Sequence, residues 1–284
     1  MKFISYSQNY EDVLLMRCFG SIKDGFYIDV GAQDPNNDSV TKAFYDLGWT
    51  GINIEPVPSA FNSIQVERLR DINLNLAISD KEDQLEIWEF PGTGLSTAVK
   101  DFAKLHIDRG LKFNRTSVKA KTLQTVCDEY AVKTVHFLKI DVEGFEAKVL
   151  QGLNLNLIRP QIILVESTIP NSPTENFIEW EYLLLEQEYL FCYKDGLNRF
   201  YVSSEFSHLK RYFEFPPNVF DDFVKADVIK LEKRIYEIIE GHRIEMDQCL
   251  DRIRLLEKSH TFDSSFFNKA IRKILSNLQR IIGK

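Results

Sequence analysis

Cysteine is scarce in this sequence, with four residues in 284, at positions 18, 127, 192 and 249. No Cys-x-x-Cys occurs, so neither a zinc site nor a redox pair is indicated. Four reduced thiols in a cytosolic protein are the expectation. Long apolar runs are also missing. No uncharged stretch approaches the roughly 20 residues that span a bilayer. The start, "MKFISYSQNYED", lacks the long apolar core of a secretory signal, so none is expected. Basic residues are in deficit, 35 against 42 acidic ones, for a net charge of −7. That balance excludes a nucleic-acid binder working through a global basic field. What remains is an ordinary globular composition, 44% hydrophobic and 27% charged, long enough for one large domain with extensions.

Short apolar runs recur along the chain. "GFYIDV" (25–30), "TGINIE" (50–55), "NLNLAI" (73–78), "HFLKIDV" (136–142) and "QIILVES" (161–167) read as five strands. Their near-continuous hydrophobicity suits a parallel sheet covered on both faces. Helical patterns are predicted over Ser39–Leu47, Ser59–Leu69, Leu123–Tyr130, Phe145–Leu157 and Thr174–Tyr189. Strand–helix alternation predicts a doubly wound α/β fold. "YLFCYKDGLNRFYV" (189–202) then turns at Asp195-Gly196 between aromatic runs, which reads as a β-hairpin.

The pattern changes near Phe220. Residues 221–259 read as a long helical arm or coiled coil. Val224, Val228, Leu231, Ile235 and Ile238 are spaced 4-3-4-3, and Met246, Cys249, Ile253 and Leu256 continue the seam after a stutter. Homo-oligomerisation through this seam is one expectation, and a helix folded back on residues 1–220 is the other. Residues 262–284 carry five basic residues from Lys269 to Lys284. Phe267, Ile271, Ile274, Leu278 and Ile281 share one helical face there. A basic amphipathic helix suits a membrane surface or a partner groove. It predicts a cytoplasmic protein held peripherally at the inner face of the cytoplasmic membrane.

In open α/β sheets, ligands bind beyond the carboxyl ends of the strands, at the topological switch point. "GAQDP" follows the first strand, bringing Asp29, Gly31, Ala32 and Asp34 to that end. Gly31 permits a tight turn and close approach of a ligand. Glu55 ends the second strand, followed by Pro56, and a carboxylate there can accept both hydroxyls of a ribose. A dinucleotide is excluded: Gly-x-Gly-x-x-Gly is absent, with Gln33 and Asn36 in the later glycine places, and Asp29 and Asp34 repel a pyrophosphate. S-adenosylmethionine suits the acids, since it carries an ammonium, a sulfonium and a ribose but no phosphate. Ala77 and Ile78 end the third strand beside the adenine position, with Asp80 an acceptor for its amino group. Ser39 completes the cofactor set. Asp141 ends the fourth strand, opposite the methionine end.

"YSQNYEDVLL", "GFYIDVGAQDPNNDSVTKAFYDLGWTGINIEPVPSAF", "GLSTAV", "FLKIDVEGFEAKVLQG", "RPQIILVEST" and "DGLNRFYV" together resemble the FkbM-type family of S-adenosylmethionine-dependent methyltransferases, over roughly residues 5–222. The resemblance implies a class I methyltransferase (Rossmann-like) fold, a seven-stranded sheet whose last two strands form a hairpin. It also implies O-methyl transfer to sugars or polyketide-type products. A sugar hydroxyl of a bacterial surface polysaccharide is the leading acceptor. A small secondary metabolite and a non-catalytic, membrane-tethered scaffold remain the alternatives.

Methyl transfer to a hydroxyl needs in-line alignment, exclusion of water, and a base or metal to remove the proton. Asp141 and Glu166 end adjacent strands and are candidate ligands for Mg²⁺, a hard cation. Asp141, Glu143 and Lys139 are the metal-free catalytic candidates. His106, after "GLST", is a further candidate base in a lid. His136 starts a strand and is read as structural. Gln8, Glu11 and Asp12 are candidate contacts from a segment folding over the cofactor, or else belong to a helix capped by Ser7. Segments 90–120 and 168–176 are expected to shape the acceptor pocket.

Overall fold

The computed structural model describes residues 2–258 together with residues 269 and 273. In chain order its strands are β1 (Phe3–Ser5), β2 (Phe26–Val30), β3 (Thr50–Ile54), β4 (Ile72–Leu74), β5 (Ala77–Ile78), β6 (Asp83–Glu89), β7 (Asn114–Lys121), β8 (Phe137–Ile140), β9 (Ile162–Glu166), β10 (Tyr189–Lys194), β11 (Asn198–Ser203) and β12 (Phe223–Lys225). The helices are α1 (Glu11–Phe19), α2 (Lys42–Asp46), α3 (Pro58–Glu67), α4 (Lys100–Asp108), α5 (Leu123–Glu129), α6 (Glu146–Gln151), α7 (Glu181–Leu185) and α8 (Ala226–Lys258).

Seven strands form the main sheet in the order β10-β11-β9-β8-β2-β3-β4. The pairs β9–β8, β8–β2, β2–β3 and β3–β4 are parallel, and β11 runs antiparallel to both β9 and β10. Alternate residues of each central strand enter opposite cores. Ile28, Leu138, Ile163 and Val165 face one cluster with Leu123, Val149 and Leu184 from α5, α6 and α7. Tyr27, Phe137, Ile162 and Leu164 face another with Leu14 and Phe19 of α1 and Phe44 of α2. A strand buried on both faces needs apolar residues at successive positions, which is why these strands read as unbroken runs.

Several boundaries differ from expectation. "NLNLAI" is two strands: β4 stays in the main sheet, while β5 joins a second sheet of order β5-β7-β6. Strands β6 and β7 lie where no strand was expected. Leu85 and Ile87 alternate with polar residues on β6, a period-2 signal that its charged outer face obscured. The helix expected over Thr174–Tyr189 shrinks to α7 behind a short 3₁₀ turn, because buried Trp180 sits at non-helical φ −134°, ψ −18°. The helix expected over Phe145–Leu157 ends at Gln151, before Gly152.

Ser7 does not cap α1. The capping position is Tyr10, in a left-handed conformation. The Ser5 and Ser7 hydroxyls both donate to Asp12 Oδ1 (2.7 Å each), and the Tyr6 N–H donates to Asp12 Oδ2 (2.7 Å). The segment therefore wraps a buried carboxylate that would otherwise be costly.

The chain divides into two compact units after Lys225, beyond the expected boundary at Phe220. Residues 221–225 belong to the first unit. Asp221 pairs with Arg17 of α1 (2.6 Å), and β12 lies parallel to β1. In the second unit α8 is one continuous helix of 33 residues. Among the described residues no helix is long and apolar enough to cross a membrane. Apart from residues 269 and 273, the basic amphipathic segment expected at 262–284 lies outside the described residues.

Candidate active site

The order of the main sheet reverses between β2 and β8: the chain runs outward through β3 and β4, then returns to the other side of β2. A cleft of about 490 Å³ opens beyond the carboxyl ends of these strands. Its size and position suit a bound small molecule.

The turn after β2 builds one wall. Gly31 has φ +82°, and a Cβ there would stand 1.8 Å from the Asp141 carbonyl oxygen. No side chain fits, so the β2 and β8 tips come together only through glycine. The Gly31 and Ala32 N–H groups donate to the Ile54 carbonyl (3.0 and 3.2 Å). Glu55 follows β3, almost fully buried. It accepts from the Gln33 N–H at Oε2 (2.9 Å) and the Val57 N–H at Oε1 (2.8 Å). Burial pushes its pKa up to about 7, against the lowering effect of those two donors. Leu76, Ala77, Ile78, Leu85 and Ile87 supply an apolar wall.

The turn after β8 builds the other end. Buried Lys139 donates to the Gly31 carbonyl (2.7 Å) and pairs with Asp29 (3.2 Å) and Asp141 (3.3 Å). Burial opposes its charge, but Asp29 and then Asp141 outweigh that and raise its pKa. Glu143 and Gly144 turn the chain at φ +53° and +94°. The Thr97 hydroxyl donates to the Glu143 carbonyl (2.7 Å), and Glu146 Oε1 accepts from the Val142 and Gly144 N–H groups (3.3 and 3.0 Å). Glu146 thus brackets the turn from the first turn of α6. Burial, then Asp141, raises Glu143 to about 9, and the same two effects hold Glu166 well above its ordinary value. Four non-glycine residues lining the cleft, Gln33, Asp38, Glu143 and Asn171, have positive φ. Such strain persists only where surrounding structure enforces it.

The structure brings Gln8, Gly31, Ala32, Glu55, Pro56, Ala77, Ile78, Lys139, Asp141, Glu143 and Glu166 to the cleft, as expected from the sequence. Seven expected residues stand elsewhere. Asp29 is buried behind the turn, held by Lys139 and by the Thr41 hydroxyl (3.1 Å). Asp34 is consumed by its own loop, accepting from the Asn36 and Asn37 N–H groups (2.8 Å each). Ser39 is buried and accepts from Arg68 (2.9 Å). Asp80 pairs with Lys148 (2.8 Å) and does not line the cleft. His106 is no base in a lid: it lies buried on α4 with its ring edge against Phe90, centroids 5.1 Å apart. Burial, then Arg109, lowers its pKa. Glu11 and Asp12 are likewise turned into the body of the protein, by Asn198 and by Ser5 and Ser7.

Of the segments expected to shape the acceptor end, Phe90–Ser96 and Ala98 line the cleft, as do Thr168, Asn171 and Ser172. No residue of 99–120 lines it. Gln33 and Asp38 were not singled out from the sequence. Left-handed backbone is favoured by Gly, Asn and Asp, a signal that Asp38 carries weakly and Gln33 not at all.

The family model described as "Methyltransferase FkbM domain" matches residues 29–191. Among solved structures the chain is similar to the crystal structure of Methyltransferase FkbM from Methylobacillus flagellatus KT, at 12% identity and a TM-score of 0.39. That alignment covers 63% of this chain and 44% of the other, so this chain spans less than half the length of that relative. No curated protein matches the chain.

Proposed function

This chain belongs to the FkbM methyltransferase domain family, and we propose that it transfers a methyl group from S-adenosylmethionine to a hydroxyl of a glycan. One observation carries the cofactor: the charge of the cleft. Asp38, Glu55, Glu89, Asp141, Glu143 and Glu166 line it, and among the described residues Lys139 is its only cationic side chain, already engaged by three acceptors. A pyrophosphate has no counter-charge there, whereas an ammonium and a sulfonium do. The strand order, with antiparallel β11 set between β9 and β10, supports a class I methyltransferase fold.

Bound in the cleft, S-adenosylmethionine supplies an electrophilic methyl on a positively charged sulfur. Glu55 accepts the ribose hydroxyls, since both of its oxygens are already oriented by backbone donors. The apolar wall at Ala77, Ile78 and Ile87 receives the adenine. Gly31 lets the methionine end approach the backbone. Lys139 holds Asp141 at the reacting end, where a carboxylate of the acidic group would take the acceptor proton as the oxygen–methyl bond forms in line and the methyl–sulfur bond breaks, the electron pair leaving on the sulfur of S-adenosylhomocysteine. Gln8, Thr168, Asn171 and Ser172 give the acceptor end polar partners, which favours a polyhydroxylated acceptor over an apolar metabolite.

Calorimetric titration with S-adenosylmethionine tests the cofactor. Wild type binds, and Gly31→Arg and Glu55→Ala lose at least tenfold in affinity. No binding to wild type, or undiminished binding to both variants, overturns the reading. Transfer of labelled methyl groups onto a panel of glycan fragments, but not onto small apolar phenols, is the expected acceptor result. The reverse pattern sinks the glycan assignment.

A further inference from the structure

We propose that Asp141, Glu143 and Glu166 form a binding site for a hard divalent cation, placed where it meets the hydroxyl oxygens of the acceptor. The cation site stands on side-chain geometry alone; its service to an acceptor rests on the methyl-transfer reading. One carboxylate oxygen from each residue lies within 4.8 Å of the other two, the only such group among the described residues. All three residues line the cleft.

Crowded acids alone would say little, but two of these acids each hold a buried oxygen without a partner. Glu166 is only 6% exposed. Its Oε2 is buried without a hydrogen-bond partner, and so is Oε2 of Glu143. A buried carboxylate with no partner is costly, so the site calls for positive charge. Lys139 does not supply it. That ammonium is spent on the Gly31 carbonyl, Asp29 and Asp141. Among the described residues no ion pair reaches Glu143 or Glu166.

The donor set identifies the class of ion. Three carboxylates, with no histidine or thiolate, select a hard cation over zinc or copper. Oxygens on opposite sides of Ca²⁺ stand about 4.8 Å apart, against about 4.2 Å for Mg²⁺. Three oxygens held within 4.8 Å of one another can therefore share a single ion of either size. Three protein oxygens leave coordination positions open toward the cleft, so hydroxyl oxygens of a sugar are the matching ligands.

The test uses the full chain, treated with EDTA and dialysed, with no methyl donor or acceptor present. Ca²⁺, Mg²⁺ and Tb³⁺ are titrated separately, by calorimetry and, for Tb³⁺, by luminescence with Ca²⁺ as competitor. One site per chain is expected, weakened at least tenfold in E166Q and in E143Q. Metal should raise the melting temperature of wild type but not of E166Q. Without metal, E166Q should melt at or above wild type, because it removes an unpaired buried acid; loss of binding there is then not loss of folding. No binding at millimolar metal, or equal binding by wild type and both variants, overturns the site. Titration of S-adenosylmethionine in EDTA runs in parallel. Metal failure with intact cofactor binding rejects the cation site alone, and the opposite result rejects the methyl-transfer reading alone.

Discussion

Glu11 sits buried on α1, where its carboxylate accepts from the Asn9 N–H and from the Asn198 side-chain amide (2.8 Å each). Burial, and then the nearby charge of Asp195, raises its pKa from 4.5 to about 7. The sign of the consequence follows from proton linkage. Between 4.5 and 7 the native chain keeps a proton that the unfolded chain has released. The contribution is complete below 4.5 and is lost as pH rises through 7. Urea midpoints should therefore fall from pH 6 to pH 8. Glu55 and Glu146 are also raised to about 7 and add to the same slope. Glu11→Gln isolates one share: its fall should be smaller than that of wild type, by roughly 1–2 kcal/mol. An identical pH slope in the variant would refute this account of Glu11.

Between elements, Arg17 is the tie that holds 212–221 to α1. Its guanidinium donates to the Tyr212, Phe215 and Pro216 carbonyls (3.0, 2.7 and 2.9 Å) and grips Asp221 at 2.6 and 2.7 Å. Both charged side chains are largely buried, so removing one leaves the other uncompensated. Arg17→Met should cost about 2–4 kcal/mol in chemical denaturation. It should also open residues 212–225 to protease while leaving S-adenosylmethionine affinity unchanged, since neither partner lines the cleft. A loss of cofactor affinity as large as that of Glu55→Ala would contradict the separation of this tie from the site.

For the whole molecule the open question is α8. Of the expected seam, Val224 falls in β12 and pairs with Ile4, while Val228, Leu231, Ile235 and Ile238 are all exposed on α8. A second copy of the same helix is the proposed cover, because the 4-3 spacing is that of a helix-to-helix seam. Sedimentation should show the full chain self-associated and a chain ending at Lys225 monomeric. The cut belongs after Lys225, since an earlier one would remove Asp221 and β12. A monomeric full chain overturns the seam. The tail is separable: a chain ending at Thr261 should keep its association state but lose binding to anionic vesicles. Retained vesicle binding rejects the proposed membrane role.

Sequence alone determined the parallel strands, because burial on both sheet faces demands consecutive apolar residues, and that pattern is written locally in "FYIDV", "FLKI" and "IILVE". It also determined the acids that end those strands and the glycine between them, since strand ends and tight turns are local features. Which acids face the cleft was not local. Asp29 and Asp34 have the right type and spacing, yet one is held by Lys139, 110 positions along the chain, and the other by its own loop. The burial of His106 beneath Phe90 and the break of a helix at Trp180 likewise depend on partners distant in sequence. The convergence of Asp141, Glu143 and Glu166 comes from β8 lying beside β9, with a left-handed turn at Glu143 aiming the third carboxylate. Residue types supplied the charges. Only tertiary packing decided which of them were left without a partner, because the cost of an unpaired charge is set by what surrounds it.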